Sequence, residues 1–325
     1  MNSFPAMLRQ QRWIWAAAGV LILWAALSVV SERASLSSLT GIARSVSFLT
    51  LVALGQMFVV TTGRGNIDLS VASVVTLSAF ITVTVSGGTN AGLPLALAAA
   101  VAAGAATGLL NAFLVLKLRI AAMIATLSTG YILATATLMI NRQVRGFDVA
   151  PALRTVATER VLGVPVIALI ALAAVAVSGI VLSRTAFGMR LAAVGQNLEA
   201  ARLAGIRTGA TITAAFITSG VLAAASGALL SAYVGGAFLD MGTPFLLQSI
   251  GAVVLGGTLI FGGSSTAVGT LFGAMFLILI VTTMQVAGLP TGAQDVVQGT
   301  IIIAVLAIAG LSTMAQRRRR LAAES

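Results

Sequence analysis

The sequence predicts an all-α integral membrane protein, a polytopic bundle of about ten transmembrane helices. Two observations predict this class. Only 8% of the 325 residues are charged and 58% are hydrophobic, whereas soluble domains carry roughly 25% charged and 45–50% apolar residues. The apolar residues also form runs that are long enough to span a bilayer, which takes about 20 residues per helix. These spans fill the chain, so we expect one transmembrane domain over residues 1–325.

The apolar runs place ten predicted helices along the chain. Their ranges are 13–30, 46–62, 68–86, 92–116, 121–140, 161–183, 209–234, 246–261, 267–288 and 295–313. The first run is expected to be an uncleaved span, because residues 31–33 do not form a signal-peptide cleavage site. The pair of helices around residues 63–67 can also be one span followed by a re-entrant segment. An even number of spans puts both termini on one side.

Basic residues divide unequally between the two sides of this predicted bundle. The smaller set, opposite the termini, is Arg33, Arg44, Arg142, Arg145, Arg154 and Arg160. The larger set is Arg9, Arg12, Arg64, Lys117, Arg119, Arg184, Arg190, Arg202, Arg207 and Arg317 to Arg320. Because positively charged loops stay in the cytoplasm, we expect a cytoplasmic N-terminus at 1–12, a cytoplasmic loop at 184–208 and a basic cytoplasmic tail at 314–325. The net charge of +11 is therefore a topology signal and predicts no nucleic-acid partner.

The absence of cysteine and histidine limits the chemistry that this chain can perform. Disulfides, thiolate catalysis, imidazole metal sites and histidine proton relays are excluded. We expect no catalytic residue and no metal site. The outer loop at 141–160 is either an ordinary solvated loop or the place where an extracytoplasmic partner docks.

Glycines occur both in spaced pairs within the predicted helices and in glycine-rich breaks between them. Gly104 with Gly108, and Gly269 with Gly273, form small-xxx-small pairs that predict close helix packing within the bundle. In addition, residues 61–73 and 253–269 each run from an apolar span through a glycine-rich break into a new span. These two breaks are weak evidence for two related halves, an arrangement in which transporters place a pathway between the repeats.

The loop at 184–208 contains a predicted short helix. Asn197 is a plausible N-cap, Glu199 lies in the first turn where a carboxylate is favoured, and Gly205 can end the helix. Glu199 and Arg202 are three residues apart and can pair on one face. Leu198, Ala201 and Leu203 are expected to seat in a groove of a partner. A helix this short is marginal alone in water, so something must hold it.

Three sequence blocks together resemble the permease subunits of bacterial ABC importers of the ribose and simple-sugar type, which are related to branched-chain amino acid permeases. The blocks are FGMRLAAVGQNLEAARLAGI at 187–206, NIDLSVAS at 66–73, and SIGAVVLGGTLIFGG with GTLFGA at 249–263 and 269–274. Their order and spacing agree with the family, and the resemblance covers residues 43–310. The chain departs from the common TGGIDLSVGS pattern in the run from Gly63 to Asn66 and at Ala72.

This resemblance implies a permease subunit with no enzymatic activity of its own. It implies a bacterial inner-membrane protein that works with a second permease subunit (identical or paralogous), a cytoplasmic ABC ATPase that binds the ATP, and a periplasmic solute-binding protein. The implied cargo is a simple sugar or a similar small neutral polar solute. No cofactor is expected on this chain. The implied ATPase-coupling residues are Gly188, Arg190, Gly195, Asn197, Glu199, Ala201, Arg202 and Gly205.

Asn66, Asp68 and Ser70 are the candidates for a gate or translocation site. An acid at membrane depth is a functional-site hypothesis, but Asp68 or Asn66 can also cap the following helix from an edge of the membrane. The spans supply further polar side chains that either line a pathway or bond a helix carbonyl: Asn111, Thr126, Ser128, Thr129, Tyr131, Ser226, Tyr233 and Gln248.

Several alternatives stay open. The cargo can instead be a branched-chain amino acid or a nucleoside. An ion-coupled secondary transporter is less favoured, because Asp68 is the only plausible member of a proton relay. A membrane scaffold without transport activity is also less favoured.

Overall fold

The structure, a computed structural model, describes residues 13–30, 36–142, 148–305 and 307. Almost all of these residues are helical. The basic tail predicted at 314–325, the N-terminal segment 1–12 and the run Arg317 to Arg320 lie outside the described residues. The helices are α1 (Ile14–Val30), α2 (Leu36–Thr61), α3 (Val71–Ser86), α4 (Leu93–Leu116), α5 (Ala122–Asn141), α6 (Pro151–Thr158), α7 (Val166–Arg184), α8 (Ala186–Gln196), α9 (Leu198–Leu203), α10 (Thr208–Val234), α11 (Thr243–Leu255), α12 (Ala267–Val286) and α13 (291–305).

The predicted helical membrane protein is confirmed, but the count of ten spans is not. Within the described residues, six helices are long and apolar enough to cross a membrane: α2, α4, α5, α7, α10 and α12. The helices α1, α3 and α11 contribute shorter apolar segments. A helix of 16 residues, such as α3, is about 24 Å long, while the hydrocarbon core is about 30 Å thick. Length therefore separates the six helices from the shorter ones.

Three predicted boundaries miss by five residues or more. The helix predicted from residue 46 already begins at Leu36. The helix predicted from residue 161 begins at Val166, because Arg160–Val161 pairs antiparallel with Val164–Pro165. The turn of this hairpin (strands β1 and β2) has positive φ at both central residues, 52° at Leu162 and 83° at Gly163, as such two-residue turns require. The helix predicted to reach residue 261 ends at Leu255, just before a glycine-rich break.

The helices α2 and α10 form the centre of the bundle. The helix α2 supplies more of the largest buried cluster than any other helix, and α10 packs against α2, α3 and, most extensively, α4. A Cβ atom on Gly104 would overlap the carbonyl oxygen of Gly220, and one on Gly108 would overlap that of Phe216. On α12, Gly273 meets the Ala252 carbonyl oxygen of α11 in the same way, and Gly269 meets that of Gly256, which directly follows α11. Both small-xxx-small pairs are therefore packing faces inside the bundle, as predicted.

Two helix breaks meet at one end of the bundle. The first break (62–70) separates α2 from α3, and the second (256–266) separates α11 from α12. Gly262 of the second break packs against the backbone of Gly63 in the first. The Gly263 N–H donates a hydrogen bond to the Thr61 carbonyl oxygen at 3.0 Å. The two breaks that the sequence paired are thus in direct contact.

The opposite end of the bundle carries α6 and the β1–β2 hairpin. Leu153 and Ala157 of α6 are buried against Ala232 of α10. Arg44 of α2 donates a hydrogen bond to the Thr158 carbonyl oxygen and lies over the Tyr233 ring, 5.5 Å from its centroid. The loop predicted at 141–160 is therefore folded onto the bundle where the structure describes it.

Candidate functional site

The connection between α7 and α10 is built from two short helices, α8 and α9, with a shared cap. Asn197 ends α8 and begins α9, and its side-chain oxygen accepts a hydrogen bond from the Ala200 N–H at 3.0 Å. Glu199 occupies the first turn of α9. Gly205 follows the last turn with a φ of 78°, a conformation that glycine tolerates. The predicted cap, first-turn acid and terminating glycine are confirmed.

One face of α9 packs on this chain's own bundle, which corrects the prediction for its apolar side chains. Ala201 is 4% exposed and belongs to a buried cluster with Phe216 and Ile212 of α10 and Val59 of α2. Leu198 packs against the same cluster, whereas Leu203 is 89% exposed. Only the outward face of α9 remains available to a partner, and it presents Glu199, Arg202 and Leu203.

Glu199 and Arg202 do not form the predicted ion pair. Both side chains are exposed, and neither makes a salt bridge or side-chain hydrogen bond with a residue that the structure describes. A solvated pair of this kind contributes little stability, so the first-turn position of Glu199 and the Asn197 cap order α9 without it.

The implied coupling residues divide into inward and outward sets. Gly188 faces inward, because a Cβ atom there would overlap the carbonyl oxygens of Val181 and Leu182. Gly195 also faces inward, against the Thr61 carbonyl oxygen and the Gly263 nitrogen. These two glycines are packing positions, as is buried Ala201. The exposed set is Arg190, Asn197, Glu199, Arg202 and Gly205.

Four glycines bring α8 into backbone contact with both helix breaks. We call Gly63, Gly195, Gly262 and Gly263 the glycine junction. A Cβ atom on Gly63 would lie 2.8 Å from the carbonyl oxygens of Gly195 and Phe261. Gly63, Gly262 and Gly263 were not predicted as site residues. The available signal was the pair of glycine-rich breaks, which indicated related halves but not their contact.

A buried polar cluster lies just behind the junction, around the Asp68 carboxylate. Asp68 is 1% exposed, and its Oδ1 atom accepts hydrogen bonds from the Ser70 N–H at 3.0 Å and the Ser70 hydroxyl at 2.6 Å. The Asn111 amide of α4 donates to Ser70 Oγ at 2.9 Å and lies 3.4 Å from Asp68 Oδ1. The Ser219 hydroxyl of α10 donates to Asp68 Oδ2 at 2.8 Å. The carboxylate therefore ties three elements together.

Gln56 joins this cluster to α2. With its amide oriented to satisfy both groups, the Gln56 side chain accepts a hydrogen bond from the Asp68 N–H at 3.3 Å and donates to the Asp68 carbonyl oxygen at 3.2 Å. Asp68 thus has contacts to α2, α4 and α10 besides its local bond to Ser70. Asp68 lies in the break at one end of the bundle and is buried there, and the expected local bond to an N–H two residues on is present.

The other polar candidates have separate positions. The Asn66 amide donates to the Thr62 hydroxyl at 2.8 Å, and Ser70 belongs to the Asp68 cluster. Thr129 and Ser226 donate to the carbonyl oxygens of Ala125 and Phe48. These two hydroxyls therefore bond backbone carbonyl oxygens, which is the alternative to lining a pathway. Gln248 is buried, while Ser128 and Tyr131 are exposed.

A crevice of about 240 Å³ lies between α3 and α5. No local sequence pattern marks it, because its lining comes from segments that are distant in the chain. The hydroxyl groups of Thr76 and Thr137 donate hydrogen bonds to carbonyl oxygens of their own helices. The Thr76 oxygen also accepts a hydrogen bond from the Gly242 N–H at 3.0 Å, and both threonines are buried, so one lone pair of Thr76 and two of Thr137 remain as acceptors. Asp240 is the acidic residue in the described lining. The polar side chains that line this crevice are Ser73, Thr76, Thr137, Asp240 and Thr243.

Together these features define a multi-pass membrane protein in which a helical loop contacts two interrupted helices. The chain belongs to the family described as branched-chain amino acid transport system / permease component, whose model matches residues 38–306. The family resemblance carried by the three sequence blocks is confirmed, and the protein is a transport permease.

Similar proteins include autoinducer 2 import system permease proteins named LsrC. The protein from Yersinia enterocolitica is 33% identical over 90% of this chain and 80% of its own length. The one from Enterobacter sp. (strain 638) is 33% identical over 96% and 91%, and that from Escherichia coli O157:H7 is 32% identical over 93% and 88%. No solved structure matches the chain.

Proposed function

We propose that this permease is the transmembrane subunit of an ATP-driven importer for a small neutral polar solute. In this proposal it pairs with a second permease subunit, a cytoplasmic ABC ATPase binds the ATP, and a periplasmic binding protein delivers the solute. The bacterial inner membrane holds the chain with both termini in the cytoplasm. The observation that carries the proposal is the backbone contact of the α8–α9 loop with both helix breaks at the glycine junction.

The proposed coupling path begins at the outward face of α9. An ATPase that moves this face also moves α8, because Asn197 caps α9 directly at the end of α8. At the same end of α8, the inward-facing Gly195 lies against the Thr61 carbonyl oxygen and Gly263. Contacts between backbones lack flexible side chains, so displacement at α8 shifts both breaks together. The break at 62–70 then acts on the Asp68 cluster and, through it, on α4 and α10.

The names of the relatives and the lining of the α3–α5 crevice support the proposed cargo class. The relatives are named for import of autoinducer 2, and hydroxyl oxygens that can accept hydrogen bonds suit a cargo rich in hydroxyl groups. We expect cells that express the complete importer to take up autoinducer 2 or ribose. Leucine and adenosine test the alternative cargoes in the same uptake measurement, and uptake of either one in place of the hydroxyl-rich solutes would contradict the proposed class.

A charge reversal on α9 tests the ATPase contact. Glu199→Lys places a cation in the first turn, where the helix dipole disfavours it by about 0.3–1 kcal/mol, and alters the charge of the exposed face. We expect weaker retention of the ATPase by the affinity-purified permease and unchanged membrane insertion. Glu159→Lys, at an exposed acid beside α6 at the other end of the bundle, is the matched control. Equal ATPase retention by both variants would argue against contact through α9.

A further inference from the structure

Three arginines from distant parts of the chain line one cavity beside α9. The cavity has a volume of about 530 Å³. Arg64 comes from the break at 62–70, Arg119 from the connection between α4 and α5, and Arg202 from α9. Glu199 is the acidic residue in the described lining, so cations outnumber anions by three to one.

The three guanidinium groups are not used within the described part of the chain. Arg64, Arg119 and Arg202 are exposed, and none of them makes a side-chain hydrogen bond or an ion pair with a described residue. Like charges that line one cavity repel each other unless an anion is present. Their donors are therefore available to a ligand.

Two of these arginines occupy backbone conformations that disfavour any residue with a side chain. Arg64 has a φ of 59° and Arg119 a φ of 56°, in the left-handed region where glycine is favoured. The positive-inside rule accounts for cations on one side of the membrane. It does not account for arginine at two left-handed positions that face the same cavity.

The first turn of α5 adds positive potential to the same cavity. Ala121, Ala122 and Met123 contribute to the lining. The N-cap residue Ala121 makes no side-chain capping bond, and the first turn has no acidic residue. Unsatisfied N–H groups at the start of a helix favour an anion. The backbone of α5 therefore adds to the positive potential of the three arginines.

We propose that this cavity binds a phosphate group, presented by an anionic lipid headgroup or by a free phosphate compound. Arginine pairs with phosphate through two parallel hydrogen bonds, and the volume falls within the range of small-ligand sites. Basic pockets between transmembrane helices bind lipid headgroups in other membrane proteins. A phosphate held between Arg202 and Arg64 would join α9 to the first helix break, so its occupancy would stiffen the proposed coupling path.

Binding to the purified full-length chain in an uncharged detergent tests this proposal. Native mass spectrometry measures retention of phosphatidylglycerol and phosphatidylcholine, and calorimetric titration measures affinity for inorganic phosphate. We expect one phosphate-bearing anion to bind the wild-type chain, and the double variant Arg119→Gly/Arg202→Gln to bind it at least about tenfold more weakly. Arg119→Gly suits the left-handed backbone, so the variant removes charge without adding strain there. Arg184→Gln, at an exposed arginine outside this cavity, is the control and should bind as the wild type does.

The outcomes separate the two sources of phosphate. Retention of phosphatidylglycerol without affinity for inorganic phosphate assigns a lipid headgroup, while affinity for inorganic phosphate that displaces the lipid assigns a free phosphate compound. Equal anion affinity in the wild type and the double variant, or no anion binding by the wild type, would overturn the proposal. If the double variant does not fold, Arg202→Gln alone on the exposed face of α9 gives the same test and should weaken binding several-fold.

Discussion

The Asp68 carboxylate connects more of the protein than any other single acid in the described residues. Its two oxygens accept hydrogen bonds from Ser70 and Ser219, with Asn111 alongside, and its backbone pairs with Gln56. A buried carboxylate is costly unless such donors surround it. The sequence indicated the local bond to Ser70 because it depends on neighbours two residues apart. Ser219 lies 151 residues away, and no local pattern marks it.

Removal of this carboxylate should destabilise the permease. Asp68→Ala leaves the hydroxyls of Ser219 and Ser70 and the Ser70 N–H without their acceptor, which we expect to cost about 3 kcal/mol of folding free energy. The thermal midpoint in detergent micelles, followed by size-exclusion chromatography, measures the change. Asn66→Ala removes a single described side-chain bond, to Thr62, and serves as the comparison. A midpoint for Asp68→Ala no lower than that for Asn66→Ala would show that the cluster is not a stabilising centre.

At the scale of elements, the glycine junction joins three segments that are distant in sequence. Gly195 at the end of α8 contacts Thr61 at the end of α2 and Gly263 between α11 and α12. The helices themselves were predictable because apolar runs reveal spans, and the α9 boundaries were predictable because capping is local. The buried face of α9 was not predictable, because it depends on tertiary packing. The β1–β2 hairpin was not predictable either, because it depends on two residues with left-handed backbone conformations.

A methyl group at the junction should uncouple α8 from the helix breaks. In Gly195→Ala the added Cβ would overlap the Thr61 carbonyl oxygen, so α8 must shift outward, and overpacking of this kind costs about 1–3 kcal/mol. We expect a lower thermal midpoint and reduced solute uptake by cells. Gly179→Ala on α7 adds the same methyl group where no atom lies within 4 Å, and it should leave both properties unchanged. Equal uptake by the two variants would show that the glycine junction does not transmit movement from α8 to the helix breaks.

At the scale of the whole molecule, the bundle combines long outer helices with two interrupted ones. The spans α4, α5 and α7 surround a centre of α2 and α10, and both breaks open toward the α8–α9 loop. Composition and hydropathy predict such a bundle but not how many helices span it, because α3 and α11 are shorter than a bilayer core. The family follows from three ordered sequence blocks, whereas the contact between the two breaks required the fold.

The central claim is that ATP hydrolysis by a partner drives transport through movement of the α8–α9 loop. Its most direct test is solute uptake by liposomes that contain the importer purified from its native membrane, with ATP or with an ion gradient as the energy source. We predict uptake that requires ATP, and for Gly195→Ala continued ATP hydrolysis with little uptake. Uptake by the permease alone, driven by a proton or sodium gradient without ATP, would contradict the account.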